Sequence, residues 1–140
     1  MKNILILGAT SGIGEAVAYR FAKAGYALTL AARQPELLAD MKKDLQIRFS
    51  CAVETVKFDA LQFETHQSFY DSLQVKPDVV ACVFGYLGNH EETRRNSGEA
   101  LKTINSNYTG AVSILDIIAN DFEKRKSGNI IGVSSVAGDR

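Results

Sequence analysis

Short apolar runs and amphipathic stretches alternate along the whole chain. The runs cover residues 3–7, 27–32, 53–58, 78–84 and 129–134. Apolar and polar residues do not alternate within them, which is the pattern of strands covered on both faces, as in a parallel sheet. The stretches between them space apolar residues three or four apart: Val17 and Phe21, then Leu37, Met41 and Leu45, then Phe69 and Leu73. That spacing lines one side of a helix. The predicted order is βαβαβαβαβ, and right-handed crossovers turn it into an open, doubly wound parallel α/β sheet with helices on both faces.

The longest helical signal spans residues 99–124 and carries Leu101, Ile104, Tyr108, Ala111, Leu115, Ile118 and Phe122 at alternating three- and four-residue steps. Ile114 and Ile117 widen its apolar face. Either both lie under the sheet, or the face meets a second subunit. Gly110, inside this helix, costs about 1 kcal/mol relative to alanine. Something must compensate, and a local distortion near Asn107 would fit.

A length of 140 residues suits one domain, and no repeat, low-complexity tract or linker divides it. With 46% hydrophobic and 23% charged residues the chain reads as folded rather than disordered. Sixteen basic residues balance sixteen acidic ones, so no net field draws it to nucleic acid or an anionic membrane. Any anion must be held locally. The first apolar run meets Gly8 too early for a signal peptide core or a membrane span. With no secretory leader, and with Cys51 and Cys82 inside apolar stretches, the expected setting is reducing and cytoplasmic.

The segment Gly8-Ala9-Thr10-Ser11-Gly12-Ile13-Gly14 follows the first run directly and opens the first helix. Such a loop needs glycine to reverse the chain, to let backbone approach a pyrophosphate, and to let helix pack on strand. Its N–H groups and the helix dipole then receive phosphate charge. The bland alternative is an ordinary strand-to-helix turn. No Lys-Ser or Lys-Thr pair follows the last glycine, so it is not the loop of kinases and GTPases.

The spacing Gly-x-x-x-Gly-x-Gly resembles that of the short-chain dehydrogenase/reductase family, and further landmarks occur in the family's order. They are Asp59 at the end of the third run, Asn107 in Asn107-Tyr108-Thr109-Gly110, and Ser134-Ser135-Val136-Ala137-Gly138 after the fifth. Singly, each has an ordinary reading as a turn aspartate, a polar helix position or a loop hydroxyl. The resemblance implies a Rossmann-type sheet over residues 1–140, incomplete at about five of the family's usual seven strands. It also implies a dinucleotide held by Gly8, Thr10, Ser11, Gly12, Ile13, Gly14, Asp59, Ala60, Phe84 and Gly85, and a homo-oligomer formed through the 99–124 helix.

A carboxylate closing the second strand would bind the ribose 2′-OH of NAD and repel a 2′-phosphate. Here that place is taken by Ala32 and Arg33, and a guanidinium pairs with phosphate, so NADP(H) is expected over NAD(H). By resemblance, hydride passes between nicotinamide and a small carbonyl or alcohol substrate. Ser135 would hydrogen-bond the substrate oxygen and Asn107 would hold a water in the proton relay. The family's Tyr-x-x-x-Lys pair lies about a dozen residues beyond the serine, whereas Tyr19, Tyr26, Tyr70, Tyr86 and Tyr108 all precede it. The 140 residues are therefore expected to be a cofactor-binding portion, inactive alone.

Two features depart from the family. Leu7 stands before Gly8 where threonine is usual, and Cys82-Val83-Phe84-Gly85 replaces the usual Asn-Asn-Ala-Gly. The second change removes two polar groups that brace the strand end. The following Phe-Gly-x-Leu-Gly pattern is weakly similar to reductases of keto-sugars on polyprenyl phosphates. Cys82 reads as a small buried hydrophobe. His66 and His90 lack companions at metal-ligand spacing, so no metal is assigned. Glu91-Glu92 and Arg94-Arg95 read as a solvated charge cluster. A dinucleotide sensor and a sugar-nucleotide epimerase or dehydratase are the competing functions on the same fold.

Overall fold

In a computed structural model, residues 1–136 are described; the Ala137-Gly138 end of the serine segment and Arg140 lie outside them. The elements are β1 (Asn3–Leu7), α1 (Gly12–Lys23), β2 (Ala27–Ala32), α2 (Ala39–Phe49), β3 (Val53–Lys57), α3 (His66–Ser72), β4 (Val79–Cys82), α4 (His90–Arg95), α5 (Ser97–Ile104), α6 (Gly110–Arg125) and β5 (Asn129–Gly132). A 3-10 turn at Pro35–Leu38 leads into α2, another at Phe63–Thr65 leads into α3, and a π turn at Asn105–Thr109 joins α5 to α6. All strand pairs are parallel, in the order β3-β2-β1-β4-β5. This is the doubly wound Rossmann-type sheet that the alternation predicts.

Successive strand residues point to opposite faces, and the two faces pack against different helices. Ile4, Ile6, Leu28, Leu30 and Val79 lie with Ala18 and Ala22 of α1 and Leu45 of α2. Leu5, Leu7, Ala31 and Val80 lie with Tyr70 of α3 and Ile114, Ile118 and Phe122 of α6. Burying each large aliphatic side chain contributes about 1.5–3 kcal/mol, so β1, wholly buried, anchors both layers.

Burial on both faces, expected of all five runs, holds for β1, β2 and β4 but not at the edges. β3 exposes Glu54 and Lys57, and β5 is exposed throughout. An edge strand has a neighbour on one side only, and the described helices cover the middle of the sheet. Leu37, expected to face the core, is exposed while Leu38 is buried, because the 3-10 turn advances fewer residues per turn than an α-helix.

The long helix differs most from its sequence pattern. Its residues form α5, the π turn and α6, and the wider turn rotates the apolar stripe. Gly110, Ile114, Ile118 and Phe122 are buried, whereas Leu101, Ile104 and Tyr108 are more than half exposed. The distortion expected beside Asn107 is this π turn. A Cβ on Gly110 would stand 2.5 Å from the Ala60 carbonyl oxygen, so the glycine permits the helix to approach the end of β3. The charge cluster at 91–95 is the short helix α4, which the sequence pattern did not reveal. Asn89 caps it by accepting from the N–H groups of Glu91 (2.9 Å) and Glu92 (3.3 Å), and its charged side chains remain solvated. No helix among the described residues is long and apolar enough to cross a membrane.

Candidate functional site

Between β1 and β4 the chain changes direction across the sheet: α1 and α2 cover one face, α3 and α6 the other. In open α/β sheets ligands bind at the carboxyl ends of the strands beside such a reversal. A cavity of about 150 Å³ lies there, walled by Gly8, Thr10 and Ser11 after β1, by Ala32 and Arg33 after β2, by Phe58 to Leu61 after β3, and by Val83 to Tyr86 after β4. Lys102 of α5 and Ser106 of the π turn complete the wall. Five segments remote in sequence thus meet at one edge of the sheet.

The glycine loop is built as its spacing implies. Gly8 has φ +95°, and a Cβ on it would stand 2.7 Å from the backbone of Phe84, so glycine is required on both counts. A Cβ on Gly14 would stand 2.6 Å from the Gly8 carbonyl oxygen, which is the close packing of helix on strand. Ser11 caps α1: its hydroxyl oxygen accepts from the Gly14 N–H at 3.0 Å and its O–H donates to the Gly8 carbonyl at 3.1 Å. Around Gly12, by contrast, no atom lies within 4 Å of an added Cβ. The N–H groups of Gly12 and Ile13 have no acceptor among the described residues. Open space beside orphan donors at a helix N-terminus fits a pyrophosphate. Gly12, Ile13 and Gly14 are not themselves on the cavity wall; they form the first turn of α1.

At the end of β3 the Asp59 carboxylate accepts from the Leu61 N–H at 2.9 Å, closing a turn that presents Asp59, Ala60 and Leu61 to the cavity. His66, fully buried, holds this turn from behind. Its Nε2 lies 2.8 Å from the Asp59 carbonyl oxygen and its Nδ1 2.7 Å from the Ser113 hydroxyl. A carbonyl only accepts, so Nε2 carries the proton and Nδ1 accepts from Ser113. The ring also stacks on Phe58 at 4.9 Å, and Phe58 packs on Phe84 at 5.6 Å. His66 is thus a buried structural histidine, and among the described residues no cluster of His, Cys, Asp or Glu is placed to hold a metal ion.

At the end of β4 the Asn107 amide spans to the backbone of Tyr86. Asn107 Oδ1 accepts from the Tyr86 N–H at 2.6 Å, and Nδ2 donates to the Tyr86 carbonyl at 2.7 Å. Asn107, itself exposed, is not among the residues that line the cavity. Tyr86 donates its hydroxyl proton to Glu99, and the Lys102 ammonium stands 4.3 Å from the centre of its ring. The bond to Glu99, followed by desolvation, holds the Tyr86 hydroxyl above its ordinary pKa. Phe58, Leu61, Val83, Tyr86, Lys102 and Ser106 are wall residues that the sequence reading did not assign to the site. The apolar spacing of the 99–124 segment concealed the last two: Lys102 reaches the cavity from α5 and Ser106 from the π turn.

The remaining expected residues divide. Arg33 lines the cavity, is exposed, and makes no ion pair among the described residues. Ser135 follows β5 on the exposed edge and is not on the wall. Cys82 is buried, and burial pushes its thiol up to about 11, as suits an inert thiol. A Tyr-x-x-x-Lys spacing does occur, at Tyr19 and Lys23, but on α1. The Tyr19 hydroxyl donates to Asp44 of α2, away from the cavity.

A fold and a cavity of this kind define a class of dinucleotide-binding α/β protein, and comparison with known proteins narrows it. Residues 2–140 match the family model described as short chain dehydrogenase, and the chain belongs to that family. It is 30% identical over 141 residues to an uncharacterized oxidoreductase of Streptomyces coelicolor, covering 99% of this chain and 56% of that protein. It is 30% identical over 142 residues to an NADP-dependent 3-hydroxy acid dehydrogenase of Schizosaccharomyces pombe, covering 98% and 55%. An alcohol dehydrogenase from the archaeon Thermococcus sibiricus, solved with 5-hydroxy-NADP, superposes with a TM-score of 0.82 at 29% identity, covering 96% and 58%. The chain spans about half the length of the curated relatives it matches.

Proposed function

We propose that this chain is the cofactor-binding portion of an NADP(H)-dependent oxidoreductase that interconverts a carbonyl and an alcohol. The observation that carries this reading is the cavity at the chain reversal, walled by Gly8, Thr10 and Ser11 of the glycine loop and by Arg33, which makes no ion pair among the described residues; the same loop carries the orphan N–H groups of Gly12 and Ile13. The fission yeast relative and the archaeal neighbour, by their descriptions, use NADP or carry an NADP derivative.

Bound there, the cofactor's nicotinamide would supply hydride exchange with the substrate carbon. The chain's own residues divide the remaining work. The glycine loop receives the pyrophosphate through backbone donors. Asp59, Ala60 and Leu61 wall the adenine side, and Arg33 selects for a 2′-phosphate. Phe84 and Gly85, fixed through Tyr86 by Asn107, shape the floor toward the ribose. Asn107 Oδ1 retains acceptor capacity for a water of the proton relay, while Ser135 would hydrogen-bond the substrate oxygen.

The 140 residues alone are proposed to bind dinucleotide without turnover. Tyr86 and Lys102 are the tyrosine and lysine on the cavity wall, and the Tyr86 proton is held by Glu99 rather than released. Exposed Leu101 and Ile104 of α5, Tyr108 of the π turn and Val112 of α6 would pair with a second copy, which sedimentation of the complete protein tests.

Titration of the chain with NADPH and NADH tests the main reading. NADPH is expected to bind at least tenfold more tightly, and Arg33→Ala to remove most of the difference. Equal affinities, or a preference that survives Arg33→Ala, would refute it.

A further inference from the structure

A second groove, of about 440 Å³, opens beside the cavity and shares Thr10, Arg33 and Asp59 with it. Gln34, Leu37 and Lys57 complete its lining. Lys57 is the last residue of β3, and its register partner on β2 is Ala32, the residue before Arg33. Adjacent strands lie about 4.8 Å apart, so the two cations arise from neighbouring strand ends and line the same groove. Register partners in a parallel pair also share a face of the sheet. Lys57 is therefore on the α1 and α2 side, where the groove lies.

Both cations are exposed, and among the described residues neither makes an ion pair or a hydrogen bond to the protein. The one carboxylate in the groove, Asp59, spends an oxygen on the Leu61 N–H. Thr10 and Gln34 add neutral donors. The groove adjoins the cavity through the three shared residues, so a substituent that a ligand in the cavity extends into it meets Arg33 and Lys57 on its lining.

We propose that Lys57 is a second specificity-determining residue, which with Arg33 forms a two-cation clamp for the 2′-phosphate of the cofactor. This rests on the NADP(H) reading above and deepens it. With Asp59 also in the groove, a lone guanidinium offers a phosphate dianion no net positive charge, and an ammonium from the next strand supplies it. No element of the family's glycine signature includes this position, and sequence spacing does not place it beside Arg33. The sheet register does.

The test is calorimetric titration of the chain with 2′,5′-ADP and with 5′-AMP, which differ only in the 2′-phosphate. Lys57→Gln is expected to raise the Kd for 2′,5′-ADP about tenfold, the scale of one charge-assisted hydrogen bond, and to leave 5′-AMP within twofold. Lys57→Arg should retain most of the affinity. The clamp is overturned, with the NADP(H) reading intact, if the unsubstituted chain prefers 2′,5′-ADP and loses that preference on Arg33→Ala but not on Lys57→Gln. Both fail together if the unsubstituted chain binds the two probes equally. Competition by inorganic phosphate as strong as by 2′,5′-ADP would make the groove a general anion site and also overturn the assignment.

Discussion

The side-chain amide of Asn107 pairs with the backbone of Tyr86 as a neighbouring strand would, accepting from its N–H at 2.6 Å and donating to its carbonyl at 2.7 Å. This replaces bracing at the end of β4, where Cys82 and Val83 stand in place of the family's usual asparagines. The π turn is what aims it: a regular helix through 105–109 would rotate residue 107 away from the strand end.

Asn107→Ala should therefore loosen the floor of the cavity more than the fold. Two hydrogen bonds at an exposed loop contribute about 1–2 kcal/mol together. The expected result is faster amide exchange at residues 85–88 and NADPH binding weakened about threefold to tenfold, with a small shift in the urea midpoint. Unchanged exchange at the Tyr86 amide would remove the brace from the account.

Gly12 and Gly14 should respond oppositely to alanine. At Gly14 the added methyl meets the Gly8 carbonyl oxygen at 2.6 Å and the Ala9 Cα at 2.9 Å, both backbone, so helix and strand must separate. A loss of about 2–4 kcal/mol is expected, on the scale of overpacking a tight core. At Gly12 nothing lies within 4 Å, so stability should be unchanged or slightly raised while dinucleotide affinity falls at least tenfold. Thermal unfolding with cofactor titration separates the two. Retained affinity in Gly12→Ala would show that the open space is not where the pyrophosphate lies.

Gly110→Ala tests whether the helix approaches β3 as described. In an unconstrained helix the change would stabilise by about 1 kcal/mol. Here the methyl would meet the Ala60 carbonyl oxygen at 2.5 Å, so destabilisation by about 2 kcal/mol or more and displacement of the Asp59 turn are expected. Denaturant unfolding gives the sign directly, and a stabilised variant would contradict the contact.

Stability should fall at both ends of the pH range, and one pair of side chains contributes at each. The Tyr70 hydroxyl donates to Asp121, and that bond, aided by Arg125, holds the Asp121 carboxyl below its usual range. Its contribution is present above the unfolded carboxylate pKa of about 4 and is lost as pH falls through the lowered folded value. Burial, followed by the bond to Asp121, pushes Tyr70 well above its ordinary value. The unfolded chain then ionises Tyr70 from about pH 10 while the folded chain keeps the proton, so stability drops as pH rises past that point. Cys82, pushed up to about 11 by burial, begins the same decline near pH 8.5. Thermal midpoints should be flat from about pH 5 to 8. Tyr70→Phe should make both limbs shallower, the acid one because Asp121 returns toward its usual pKa. Identical limbs in the variant would show that other groups dominate.

Much of this protein is legible without coordinates. The undivided apolar runs of β1, β2 and β4 report burial on both faces because their residues are covered by helices on each side. The glycine spacing reports a loop that only glycine can build. What escaped notice depended on contacts across distance. Leu101, Ile104 and Tyr108 keep helical spacing with Ile118 and Phe122, yet a single wide turn puts them on the solvent side. Lys102 and Ser106 carry no local sign of a cavity, and Lys57 looks like any edge-strand lysine.

The sequence by itself determined the order of elements, the parallel sheet, the glycine loop and the family, because local periodicity and turn chemistry act within a few residues. Only the tertiary structure decided where the strand ends meet. The register of β2 with β3 puts Lys57 beside Ala32, and the π turn carries Asn107 to Tyr86. The approach of Gly110 to Ala60 joins α6 to the Asp59 turn at the end of β3. Each is a packing relation between segments remote in the chain, fixed by steric fit and hydrogen bonding that no local pattern records.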